Sequence, residues 1–176
     1  MSKETALMVI DVQVGMYMFP EEYPVFEGEQ LLERINLLLA KARENETPVI
    51  FVQHNEDEEG PLATRSPGWE IHPALVQAAG DLIVQKFEPD AFHETNLQQE
   101  LEARGIKKLV LTGMQTDYCV NATCWRAVDL GYEVTVVADA HSTFGQGGRT
   151  AEQIIAEHNE AFGQIAVLKE TAALEF

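Results

Sequence analysis

Six short apolar runs, rich in β-branched residues and separated by longer segments of helical spacing, constrain this chain more than any single residue. The runs fall at 6–12, 48–53, 82–86, 108–112, 133–138 and 165–168. Between them, Leu31, Leu32, Ile35, Leu38 and Leu39 form one apolar helix face, and Leu97, Leu101 and Ala103 form a second. Ala122, Ala127, Val128 and Leu130 form a third, and Ala151, Ile154, Ile155 and Phe162 a fourth, after the glycines at 145, 147 and 148. Strands that alternate with helices imply parallel βαβ units with right-handed crossovers. The expected fold is α/β, a three-layer sandwich formed by residues 1–176 as a single domain, long enough to bury one core without disulfides or a structural metal.

Composition then removes whole classes of partner. The formal charge of −17 repels nucleic acid and anionic membrane surfaces, so neither is expected as a partner. The N-terminal apolar run ends at Asp11 and is too short for a membrane span or a signal peptide. Cys119 and Cys124 lie five apart on one predicted helix, where their side chains diverge, and a reduced, cytoplasmic setting is expected. The acidic run Glu56, Asp57, Glu58, Glu59 lacks the alternating ligand spacing of a calcium loop and reads as a solvated loop. It opens a long insertion, 55–73, punctuated by Gly60, Pro61, Pro67, Gly68 and Pro73, which is expected to border the site.

Cys119 is the residue with the clearest chemistry. The run 108–112 reads as a strand broken by Gly113, and Thr116 or Asp117 can cap a helix running to about Leu130. Cys119 then falls in the first turn of that helix, where unpaired backbone N–H groups lower a thiol pKa and can receive a developing oxyanion. In open parallel sheets, ligands bind outside the carboxyl ends of the strands. Asp11 ends the first strand, Lys86 ends the third, and the fourth leads to Cys119, so a carboxylate, an ammonium and a thiol emerge on one edge. A buried Lys86 would favour both anions, and Asp11 could accept the thiol proton.

These blocks, from ALMVIDVQ through VIFVQH, VQKFEPDAFHETNLQQEL and LVLTGMQTDYCVNATCWRAVDLGYEVTVVADA, resemble the isochorismatase-like cysteine hydrolase superfamily, which includes nicotinamidases and N-carbamoylsarcosine amidohydrolases. The resemblance implies a six-stranded parallel, Rossmann-like sheet and a catalytic triad of Asp11, Lys86 and Cys119. It also implies a cis peptide at Met114–Gln115, an oxyanion hole from the Gln115 and Cys119 N–H groups, and a homodimer or homotetramer.

Two departures narrow the expected chemistry. Similar nicotinamidases carry a metal site on an Asp-x-His motif after the second strand. Here that stretch reads Val52-Gln53-His54-Asn55, with only His72 as a distant partner, so neither a metal nor any other cofactor is expected. Isochorismatases proper use the Asp and Lys but lack the cysteine, so Cys119 points to acyl chemistry at a C–N bond of a small molecule. Phe19, His54, Trp69, Phe92, Tyr118 and Phe144 flank strand ends and are expected to wall the substrate pocket. Cys124 reads as structural and Trp125 as core or subunit interface. Arg65 and Arg149 are candidates for a substrate carboxylate, but surface ion pairs are the expected role. The competing readings are ester or vinyl-ether hydrolysis on the same scaffold, and a redox-sensing or small-molecule-binding protein that uses Cys119 without catalysis.

Overall fold

A computed structural model describes residues 4–18 and 24–176; Phe19, expected in the pocket wall, lies outside the described residues. The strands are β1 (Thr5–Ile10), β2 (Val49–His54), β3 (Leu82–Lys86), β4 (Lys108–Met114), β5 (Glu133–Ser142) and β6 (Val167–Lys169). The helices are α1 (Gly28–Glu44), α2 (Leu97–Ala103), α3 (Asn121–Asp129) and α4 (Ala151–Phe162). All six strands run parallel in one sheet of order β3-β2-β1-β4-β5-β6.

Both faces of the sheet are covered, which is why the inner strands read as continuous apolar runs instead of alternating ones. In β1, Leu7 and Val9 pack with Val49 and Phe51 of β2 against Leu31, Ile35, Leu38 and Leu39 of α1. Ala6, Met8 and Ile10 face the other way, with Ile50 and Val52, toward Leu97 and Leu101 of α2, Cys124 and Ala127 of α3, and Phe162 of α4. The result is the three-layer α/β sandwich with a six-stranded parallel sheet. Ala103 is exposed and does not contribute to the buried face of α2.

Three of the differences from the sequence reading bear on the site, each at the carboxyl edge. β1 stops at Ile10 because Asp11 takes φ 50, a left-handed conformation that cannot continue a strand. β4 does not break at Gly113 but runs through it to Met114. Gly113 has φ 122, and a Cβ there would stand 2.1 Å from Ile10 O. Only glycine fits that close approach of β4 to β1. β5 extends to Ser142, pairing His141 and Ser142 with Gly113 and Met114 past an irregularity in register. Polar residues within that extension had masked it as loop.

Candidate active site

Strand order reverses between β1 and β4, and the crevice at this switch point is where an open parallel sheet binds ligands. Asp11 follows β1, the Gln115–Val120 turn follows β4, and Lys86 reaches in from the end of β3. Val84 and Lys86 are the buried residues of β3, on the face toward α2 and α3. His54 pairs with Lys86 in register on β2. Strict alternation after Ile10 would send Asp11 to the opposite face, and its positive φ breaks that alternation.

The structure brings Asp11, Lys86 and Cys119 together. Lys86 Nζ lies 2.8 Å from Asp11 Oδ2, with both side chains fully buried. Its three N–H donors are aimed at His54 Nδ1 at 2.9 Å, Glu88 O at 3.0 Å and Cys119 Sγ at 3.4 Å. Asp11 therefore receives the charge of Lys86 without a well-directed hydrogen bond, and both its oxygens are left without hydrogen-bond partners. A buried carboxylate in that state can accept N–H groups from a ligand.

Burial opposes the Lys86 ammonium, but Asp11 and Cys119 outweigh it and hold its pKa raised. The thiol behaves opposite to the sequence expectation. Cys119 is 8% exposed. Burial pushes its pKa up, the Asp11 carboxylate pushes the same way, and Lys86 only partly opposes them. The resting site is an ion pair beside a neutral thiol, with the Asp11 carboxylate as its neighbouring anion.

The helix around Cys119 also differs from expectation. Thr116–Val120 forms a wide π-helical turn leading into α3, with Gln115 at its start and no side-chain cap. Thr116 Oγ1 instead pairs with His141 Nδ1 at 2.8 Å, and Asp117 accepts from Thr143 Oγ1 at 2.7 Å and from Gln146 Nε2. The Met114–Gln115 peptide bond is cis.

His54 is more than a pocket wall. With Lys86 donating to Nδ1, the ring proton sits on Nε2; burial lowers the His54 pKa first and Lys86 lowers it further. Gln13, which the sequence reading did not single out, fixes this region. Its side chain donates to the His54 and Trp69 carbonyls at 2.9 and 2.8 Å and accepts from the His54 N–H at 2.9 Å.

An Asp11 oxygen, a His54 ring nitrogen and Cys119 Sγ lie within 4.8 Å of one another, the one such group among the described residues that could reach a metal ion. The Lys86 ammonium is in contact with all three, so the shared position already holds a cation. A second positive charge does not fit without displacing it.

Above Cys119 opens a cavity of about 610 Å³. His54, Tyr118 and Phe144 line it, with Met16, Leu62 and Phe87 beside them. Trp69 and Phe92 do not. The Trp69 indole is turned away to donate to Asn55 Oδ1 at 2.9 Å, and Phe92 packs on Tyr132 with ring centroids 5.8 Å apart. Trp125 is 49% exposed and not core, whereas Cys124 is wholly buried. Glu56 was read as part of a solvated run, yet it lines the cavity, while Asp57, Glu58 and Glu59 are exposed. Glu56 Oε2 accepts from the Leu62 N–H at 3.0 Å, so this acid is folded back by its own loop. Phe87 is marked in the sequence only by its position directly after strand-end Lys86.

The family model for the isochorismatase domain matches residues 5–166. Among curated proteins, a streptothricin hydrolase of Streptomyces noursei is 34% identical over 139 residues, 79% of this chain and 50% of that one. The chain thus spans about half the length of that relative. A ureidoacrylate amidohydrolase of Pseudomonas syringae is 29% identical over 194 residues, 90% of this chain and 78% of that one. A crystal structure of a putative isochorismatase hydrolase from Oleispira antarctica superposes with a TM-score of 0.90 at 32% identity, covering 98% of this chain and 96% of that one.

Proposed function

The chain belongs to the isochorismatase family, and on that premise we propose that it is a metal-independent cysteine hydrolase cleaving an amide-type C–N bond in a small molecule. The observation that carries the reading is the buried Lys86 ammonium touching Asp11 Oδ2 at 2.8 Å and Cys119 Sγ at 3.4 Å beside the cavity. Similarity to an amidohydrolase supports the choice of bond.

The reaction runs in two halves. Asp11 takes the Cys119 proton as Sγ attacks the carbonyl carbon, and the backbone N–H groups of Gln115 and Cys119 receive the oxyanion. The C–N bond breaks, Asp11 hands its proton to the leaving nitrogen, and a thioester remains. Asp11 then removes a proton from water, which attacks the thioester. The C–S bond breaks and Sγ recovers the proton. Lys86 balances the charge on Asp11 and on the developing thiolate throughout.

Redox sensing is the weaker reading. Burial pushes the Cys124 thiol up to about 12 and buries it in the packing of α3, which makes it a poor resolving thiol. The test is ammonia release from small primary amides and ureido acids after chelator treatment, with wild type and Cys119→Ala in parallel. Release by chelated wild type alone is expected, with a thioester adduct on Cys119 after acid quench. Turnover by Cys119→Ala, or its loss on chelation, overturns the reading.

A further inference from the structure

We propose that the cavity over Cys119 selects substrates bearing a positive charge beyond the scissile carbonyl, with Glu56 as the counter-ion. This names the substrate class of the hydrolase read above and rests on that reading.

The cavity combines an apolar, aromatic wall with one acid. Phe87, Tyr118 and Phe144 supply aromatic rings, Met16 and Leu62 supply aliphatic surface, and Glu56 supplies a carboxylate. Aromatic faces beside a carboxylate are the chemistry that holds an ammonium or amidinium group. Glu56 is half-buried, and the hydrogen bond from Leu62 N to Oε2 fixes it in place, so the site requires no reorganisation to receive a cation.

No lysine or arginine lines the cavity among the described residues. Lys86, buried behind Cys119, is taken up by Asp11, His54, the Glu88 carbonyl and Cys119. Arg149 pairs with Glu157, and Arg65 does not line the cavity. A substrate carboxylate would enter beside Glu56 with no unengaged cation to receive it. Independently of Glu56, Asp11 Oδ1 has no hydrogen-bond partner, while Oδ2 is held by the Lys86 ammonium at 2.8 Å, so one buried carboxylate oxygen remains to accept an N–H from a ligand.

Thiosulfonates of different charge read this selectivity without requiring catalysis. The Cys119 thiol first loses its proton to solvent, and the thiolate attacks the sulfenyl sulfur; a new S–S bond forms as the reagent's S–SO2 bond breaks, and methanesulfinate leaves with that bond's electron pair. The rates for trimethylammonioethyl and sulfonatoethyl methanethiosulfonate are measured at Cys119 by mass spectrometry, each divided by its rate with a free thiol in solution. The thiolate fraction cancels in the ratio. Wild type is expected to favour the cation by about tenfold or more. Glu56→Gln, which keeps an acceptor for the Leu62 N–H, is expected to bring the ratio toward unity, and any change it makes in the thiolate fraction cancels in that ratio. The exposed triple variant Asp57→Asn/Glu58→Gln/Glu59→Gln is expected to keep the wild-type ratio. A wild-type ratio near unity overturns the proposal. So does a triple variant that falls as far as Glu56→Gln, since the preference would then belong to the overall charge. Absence of amide turnover with the ratio intact removes the hydrolase reading alone.

Discussion

Lys86 Nζ stands 2.8 Å from Asp11 Oδ2 with neither side chain exposed to solvent, so each charge depends on the other for its place in the core. Asp11→Asn leaves a buried ammonium with no counter-ion and is expected to destabilise the fold by about 3 kcal/mol. Asp11→Asn/Lys86→Met, which removes both charges, should be less destabilised than the sum of the single variants. Urea denaturation of the four proteins gives the coupling, and simple additivity would count against a buried pair.

The thiol beside that pair should alkylate slowly at neutral pH. Burial and Asp11 both push the Cys119 pKa up, so iodoacetamide labelling of the unliganded protein should accelerate as pH rises into the alkaline range. Asp11→Asn removes the second of those causes while Lys86 remains. Labelling should therefore become faster at pH 7 even as hydrolysis is lost. Fast labelling of wild type near pH 6 would contradict the neutral resting thiol.

Gly113 should tolerate no side chain. A Cβ would meet Ile10 O at 2.1 Å and Ile10 N at 2.6 Å, with φ at 122. Gly113→Ala is expected to destabilise by about 2–4 kcal/mol and, by separating β4 from β1, to lower activity more than substrate affinity. Thermal melts and a comparison of kcat with KM check it. A melting temperature within a degree of wild type would argue against the close approach.

His141 should make stability fall in mild acid. Burial lowers its pKa to about 4, and its neighbours are Thr116 at Nδ1 and Asn159 at Nε2, each at 2.8 Å. A histidine lowered in the folded state binds its proton more readily when unfolded. Its contribution is complete above the unfolded pKa and is lost as pH falls through the window from about 6.5 to about 4. The full loss is on the order of 3 kcal/mol. His141→Gln should flatten the stability profile in that window, as measured by denaturant midpoints at successive pH values. An unchanged slope would show that other groups carry the acid sensitivity.

The strand runs were legible because both faces of a parallel sheet are buried, which leaves continuous apolar stretches such as 6–10 and 49–52. The helices were legible from one-sided spacing, as in Leu31, Ile35 and Leu38. The switch-point rule then placed Asp11, Lys86 and Cys119 at one edge from their positions at strand ends alone. Where the reading slipped, a local signal competed with a tertiary one. Gly113 looked like a strand end because glycine usually interrupts strands, but here it lets two backbones touch. Glu56 looked solvated because its three acidic neighbours are, and only the fold of its loop onto Leu62 turns it inward.

By itself, the sequence determined the alternation of elements, the parallel sheet and the identity of the residues at its carboxyl edge, because periodicity and burial are properties of neighbouring positions along the chain. The tertiary structure alone decided how those residues act on one another. The left-handed turn at Asp11 aims its carboxylate across the sheet, Lys86 divides its donors among three acceptors, and burial keeps the Cys119 thiol protonated. Trp69 and Phe92 left the pocket because partners distant in sequence, Asn55 and Tyr132, hold them elsewhere. Charge state and side-chain direction depend on groups brought close by folding, over distances that no local pattern encodes.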